Sequence, residues 1–446
     1  MDLNNRSRAR KGLAIAAAVT AALVGTNALN PARSAAATHT DITQRVGIVC
    51  TTSDDNSFDL ETKDGYINLP DGNTAYMWGY SLVGQPFQHP SPVLCADENS
   101  PVTVRLHNTF SSSVVGQAAA SKVSIMFPGQ ENVLADGVAA QPEITSGQVS
   151  SLTTSAATGS TVTYSFTADH AGTFLYESGT DPETQVRMGF FGTLIVRPVG
   201  HHDMAYSTHV GRVDSTFTLN EEFLILLSEI DPFQHQAVEN HQTFNLNTYK
   251  PRYWLVNGRG FPDSIADNYA TWLPSQPYGS LASIKPYDAT THPHPGLARY
   301  LNVGTEDYPF HPHGNNGSVI GQNGHPLEDV TTYADLSAEK FSLNIGPGQT
   351  WDVLFKWFDA EGYSPTNPVP VTVPNVANQV FGMFYSGSPY LGQQGTLPPN
   401  TSTLNQCGEF YIIAHNHALY QITSWGVNMT GPITYMRVNP PTGTCG

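Results

Sequence analysis

Thiol is scarce in this chain. It has four cysteines, Cys50, Cys95, Cys407 and Cys445, and none lies between or beside its paired histidines, so a metal site built on those histidines uses nitrogen and oxygen donors without thiolate. Basic side chains are few: 20 Lys and Arg stand against 37 Asp and Glu, for a formal charge of -17. Such a balance repels nucleic acid and anionic membranes and favours solubility. Beyond the first 37 residues no stretch resembles a transmembrane helix, and no helical periodicity is sustained over 15 residues. There is no Gly-x-Ser-x-Gly elbow and no Walker loop, and Gly258-Arg259-Gly260 lacks the third glycine of a dinucleotide fingerprint.

The segment 1–37 reads as an export signal. Arg6, Arg8, Arg10 and Lys11 precede an apolar stretch from Gly12 to about Val24, and Ala35-Ala36-Ala37 offers a small-residue cleavage region. Thr20, Gly25, Thr26 and Asn27 interrupt that stretch, which argues against a membrane anchor. The expectation is a secreted protein with no membrane span after cleavage, and its formal charge then becomes -21. In an oxidising compartment the cysteines read as disulfides. Proximity in sequence favours Cys50 with Cys95 and Cys407 with Cys445.

About 409 residues remain, more than one core usually supports, so two domains are expected. Gly 39 and Pro 32 punctuate short β-branched and aromatic runs, such as Val102 to Leu106, Thr161 to Phe166, Thr193 to Val196, Phe223 to Leu227 and Thr350 to Phe355. The fold class is all-β, of sandwich or barrel type with long loops. A boundary falls at 201–214, separating a first domain at 38–200 from a second at 215–446. Pro232 to Lys250 and Pro365 to Pro399 read as long polar or Pro-rich loops that cover a site or form an interface.

Two runs stand out: Phe310-His311-Pro312-His313-Gly314 and Ala414-His415-Asn416-His417-Ala418. In a strand, residues i and i+2 share a face about 6.6 Å apart, so each run aims two imidazoles into one space. Four convergent imidazoles suit copper, zinc, iron or nickel. The alternative is a set of hydrogen-bonded core histidines. His292 and His294, flanked by prolines, and the adjacent His201 and His202 read as loop and linker residues. Trp78, Tyr80 and Phe127 read as core aromatics.

Taken in order, further motifs resemble the multicopper oxidase family. Gly172-Thr173-Phe174-Leu175-Tyr176-Glu177-Ser178 followed by Met188-Gly189-Phe190-Phe191-Gly192-Thr193 looks like the end of the family's first cupredoxin domain. Trp254-Leu255-Val256-Asn257-Gly258 and Ile345-Gly346-Pro347-Gly348 resemble segments of the later domain, and the two His-x-His runs fall where the family places its late copper motifs. The resemblance implies two cupredoxin-like Greek-key β-sandwich domains. It also implies losses. Tyr308, Asn416 and Gln421 occupy the positions of the blue-copper ligands, and without His₂Cys no blue site is expected. The first-domain ligand pairs align with Met126-Phe127-Pro128 and Glu177-Ser178-Gly179. The remaining set is His311, His313, His415 and His417, with Glu177 as a carboxylate candidate.

The resemblance makes copper the first cofactor to consider, with manganese, zinc or iron also compatible. Catalytic residues are not assigned. Ordinary laccase chemistry is not expected without the Cys-His relay, and the substrate would be a small molecule or a metal ion. Two-domain relatives commonly form trimers, so a homotrimer is expected in which Glu177 completes the site across an interface; Tyr308 and Trp425 are expected to fill the vacated blue-copper position. The alternative is a non-catalytic metal-binding or scaffold protein reusing the fold.

Overall fold

The computed structural model describes residues 38–110, 120–207, 212–314, 316–357, 369–371, 403–405 and 410–439. The expected export segment 1–37, the expected Cys407–Cys445 bond and all but residues 369–371 of the 365–399 loop lie outside the described residues.

Strands dominate, arranged as the resemblance implies. In the first half, a sheet that includes Leu94–Asp97, Phe191–Arg197 and Gly172–Glu177 faces one that includes Thr74–Leu82, Ser57–Asn68, Ser100–His107 and Thr161–Ala168. Alternation explains the packing: in Thr161–Ala168, Val162, Tyr164, Phe166 and Ala168 are buried while the residues between them are half-buried or exposed. Trp78, Tyr80 and Phe127 lie in this core, as expected. In the second half, a sheet containing Gly317–Gln322, Thr350–Phe355, Gly296–Asn302, Glu222–Ile230 and Tyr253–Val256 packs on one of order Ala282–Ile284, Ile433–Val438, Phe410–Asn416, Tyr308–Pro312, Leu343–Ile345. Among the described residues no helix is long and apolar enough to cross a membrane.

Glu222–Ile230 is buried along its whole length, which a one-sided strand cannot be. Phe223, Ile225 and Leu227 enter the second core. Leu224 and Leu226 face the other way and pack with Val49, Leu175 and Ile195 of the first half. A buried ionic group crosses the same seam. Arg299 Nε lies 2.5 Å from Glu222 Oε1, and Arg299 Nη1 donates to Thr173 Oγ1 at 2.7 Å and lies 3.4 Å from Asp352 Oδ1. Arg197 also pairs with Glu222. Cys50 and Cys95 are bonded as expected, with Cα atoms 5.6 Å apart.

The stretch expected as a loop from Pro232 is instead a helix, Pro232–Glu239. Asp231 caps it by accepting from the Phe233 N–H at 2.9 Å, and Pro232 opens it. It latches onto the first half: the His235 Nδ1–H donates to the Tyr76 carbonyl at 2.6 Å, Gln234 Nε2 donates to the Glu183 carbonyl at 3.0 Å, and Val238 joins the first core.

Candidate metal centre

The strands Tyr308–Pro312 and Phe410–Asn416 pair antiparallel, with Phe310 opposite Asn416, His311 opposite His415 and Pro312 opposite Ala414. Tyr308, Phe310, Ala414 and Asn416 are buried, so the pleat sends His311 and His415 to the outer face. Backbone bonds extend the register past both strand ends. His313 N–H donates to the Ile413 carbonyl at 3.0 Å and His417 N–H to the Pro309 carbonyl at 2.7 Å. All four imidazoles therefore share one face. The His311 ring centre lies 4.8 Å from that of His313, 5.8 Å from His415 and 5.3 Å from His417; His313 and His415 are 5.0 Å apart, and His415 and His417 5.7 Å.

Two rings are oriented by carbonyls. His311 Nδ1 lies 2.7 Å from the Phe341 oxygen and His415 Nδ1 2.8 Å from the Asn416 oxygen. A carbonyl only accepts, so each Nδ1 carries the proton and each Nε2 presents its lone pair. This is how metal-binding histidines are held by their surroundings. His313 Nε2 donates to His415 Nε2 at 3.0 Å. An ion about 2.0–2.1 Å from both nitrogens would keep them near that separation and replace the shared proton. Burial, followed by neighbouring imidazoles, lowers the His313 pKa; burial also lowers that of His415 against the bond to Asn416. Both effects favour the neutral, ligating form. Among the described residues no three such donors already stand in full metal-binding geometry. His311 and His313 line a cleft of about 550 Å³ with Pro312, Gly314, Asn316 and Phe341, whose phenyl group is exposed.

The contacts of Glu177 lie in the first half of the chain. It ends the Gly172–Glu177 strand and pairs through its backbone with Met126, whose side chain lies against Gly179. Met126, Glu177 and Gly179, from the two first-half runs, thus share one spot. Burial pushes the Glu177 carboxyl up to about 7.

The positions Tyr308, Asn416 and Gln421 are filled by hydrogen bonds. The Tyr308 hydroxyl donates to Glu229 Oε2 at 2.5 Å. The Asn416 amide donates to Gln421 Oε1, and Gln421 Nε2 donates to Glu306 Oε2 at 2.6 Å and to the Asp307 carbonyl at 3.3 Å. Trp425 does not join them. It is 45% exposed, with Phe233 and Tyr253 edge-on to it. It follows the short turn Leu419–Ile422. His292 Nε2 is held 3.0 Å from Glu221 Oε2, His202 Nε2 lies 2.8 Å from Asp97 Oδ1 on the surface, and the His294 carbonyl accepts from Thr218.

Residues 63–200 match the sequence profile of a multicopper oxidase domain. That segment of the first half is therefore similar to a multicopper oxidase domain. No curated protein matches this multicopper-oxidase-like chain by sequence. Among solved structures, it is similar to a multicopper oxidase, mgLAC, at 16% identity over 86% of this chain and 85% of that one, with a TM-score of 0.53. It is similar also to the blue copper oxidase of Nitrosomonas europaea, at 17% identity over 85% of each chain, with a TM-score of 0.54. At these identities the likeness establishes the cupredoxin-like fold.

Proposed function

We propose that this is a secreted, two-domain, multicopper-oxidase-like protein, divided at residues 201–214, that holds copper through His311, His313, His415 and His417 without a blue-copper site. The observation carrying this reading is the shared face of four imidazoles, two of them fixed with Nε2 unprotonated by the Phe341 and Asn416 carbonyls. Copper bound there would supply one-electron chemistry and a coordination position open to a small molecule or metal ion. The chain's own part is to keep the imidazoles neutral and to leave one side of the cluster accessible.

The exposed side of the cluster motivates assembly. Leu152, beside Glu177 through its N–H bond to the Gly179 carbonyl, is 49% exposed, and Phe341, beside His311, is 67% exposed. A trimer that set these surfaces together would bring Glu177 of one subunit to the histidines of the next. Its neutral carboxyl would then ionise beside the cation.

The absence of three donors in full metal-binding geometry among the described residues favours a second reading, a scaffold in which the histidines no longer ligate. Metal content by mass spectrometry, on protein matured in copper-, manganese- and zinc-supplemented media, separates the two. Near-stoichiometric copper, lost in His311→Ala/His415→Ala, supports the first reading; an empty wild type supports the second. A stable monomer with full metal occupancy would remove Glu177 from the site.

A further inference from the structure

A second histidine pair lies elsewhere and belongs to no sequence motif. His170 sits in the turn between Thr161–Ala168 and Gly172–Glu177, and His325 in the short strand His325–Pro326 that follows Gly317–Gln322. Their ring centres are 4.5 Å apart, with planes inclined by 35°. His170 Nε2 lies 3.7 Å from Asp169 Oδ1, while His170 Nδ1 is buried without a hydrogen-bond partner. Asp169 and Glu131 both act on His325 electrostatically.

The backbone fixes this encounter. A Cβ on Gly172 would come 2.6 Å from the Gly324 carbonyl oxygen, and one on Gly324, whose φ is +78°, would run into the Phe174 ring. Only glycine lets the two turns approach this closely. Asn323 N–H donates to the Thr350 carbonyl at 2.7 Å, and Thr350 Oγ1 donates to the Thr173 carbonyl at 2.7 Å, which ties the hairpin to the first-half strand.

We propose that His170, His325 and Asp169 form a surface site for a divalent transition ion of the zinc or copper(II) class, separate from the four-histidine cluster. An ion about 2.0–2.1 Å from one nitrogen of each ring leaves the ring centres about 4.5–5 Å apart, close to their present separation. An ion also reaches both His170 Nε2 and Asp169 Oδ1 across their present gap. Asp169 and His325 are exposed and can turn the last fraction inward without disturbing the core. Two imidazoles with one carboxylate select a borderline ion over calcium or magnesium, which prefer all-oxygen sets. Because His170 and His325 belong to different halves of the chain, the bound ion staples one half to the other.

The test is zinc titration by calorimetry on tag-free protein. In a variant lacking the main cluster, His311→Ala/His313→Ala/His415→Ala/His417→Ala, one equivalent should still bind and raise Tm. Adding His325→Ala should weaken that binding at least tenfold. In the otherwise wild-type chain, His325→Ala alone should lower the zinc stoichiometry by one, whatever the main cluster holds, and Asp169→Asn should weaken the same equivalent. Unchanged stoichiometry in His325→Ala, or no zinc bound by a folded four-histidine variant, overturns the proposal.

Discussion

Arg299→Met tests the ionic seam between the two halves. Burial opposes ionisation of Glu222, yet Arg197 and Arg299 draw its carboxyl from 4.5 down to about 2. At about 1.4 kcal/mol per tenfold, that depression represents about 3 kcal/mol of stability. Its sign follows from the direction: the folded-state value is depressed, so the contribution is complete above about pH 4.5 and is lost as pH falls towards 2. Methionine keeps the apolar stem of the side chain but removes the guanidinium and its contacts to Glu222, Thr173 and Asp352. Glu222 keeps Arg197, and Asp352 keeps the Thr173 and Tyr206 hydroxyls. The expected loss at pH 7 is therefore about 2–4 kcal/mol, overlapping the range of about 3–5 kcal/mol for breaking one side of a buried pair. At pH 3 the variant's Glu222 is largely protonated and no longer costs charge burial, so the difference should fall to about half. Urea unfolding followed by tryptophan fluorescence at the two pH values measures both numbers. A loss under about 1 kcal/mol at pH 7, or an equal loss at pH 3, refutes this account of the seam.

Further outcomes concern the disulfide, the vacated positions and Glu177. Cys50→Ser/Cys95→Ser opens a bond across a sequence separation of 45, which chain-entropy reasoning equates with about 4 kcal/mol; the drop in urea midpoint should vanish when wild type is compared after full reduction. Copper-loaded Asn416→Cys should show no intense visible thiolate band, because Tyr308 and Gln421 supply no imidazole, and appearance of that band contradicts the ligand assignment. In metal-free protein Glu177→Gln should stabilise the fold at pH 8. The raised carboxyl pKa means that stability declines as pH rises from 4.5 through about 7. The ceiling is about 3 kcal/mol, and partial exposure reduces the expected gain to about 1 kcal/mol. It should shrink by pH 5. If Glu177 ligates across an interface, the same variant should lower copper affinity, and unchanged copper binding would count against that role.

Local periodicity made much of this fold legible. The alternation in Thr161–Ala168 is written directly in its residues, whereas Glu222–Ile230 reads only as an apolar run, and its role as a strand between two cores depends on what packs on either side. The Pro232–Glu239 helix was signalled by Asp231-Pro232, but its short length and polar composition look like loop. The shared face of the four imidazoles follows from two His-x-His spacings plus one register. The Phe341 carbonyl that orients His311 comes from a distant segment, and no local pattern announces it. His170 and His325 are lone histidines in sequence, joined only by the close approach of Gly172 and Gly324.

The inner face of the two paired strands holds the register on which their outer face depends. A one-residue slip between Tyr308–Pro312 and Phe410–Asn416 would turn His311 or His415 into the core. Phe310 and Ala414, fully buried, oppose that slip through packing. Asn416 opposes it more specifically, since its amide is buried and bonded to Gln421, which is in turn held by Glu306 and the Asp307 carbonyl. Tyr308 adds the bond to Glu229, itself buried in the adjoining sheet. These residues cannot hold a blue copper, but they lock the register that a metal thiolate would otherwise help to fix. The chain thus presents His311, His313, His415 and His417 on one face of a register that buried packing and hydrogen bonds hold on the other. Metal binding by the intact protein is therefore the first property to measure on this arrangement of side chains.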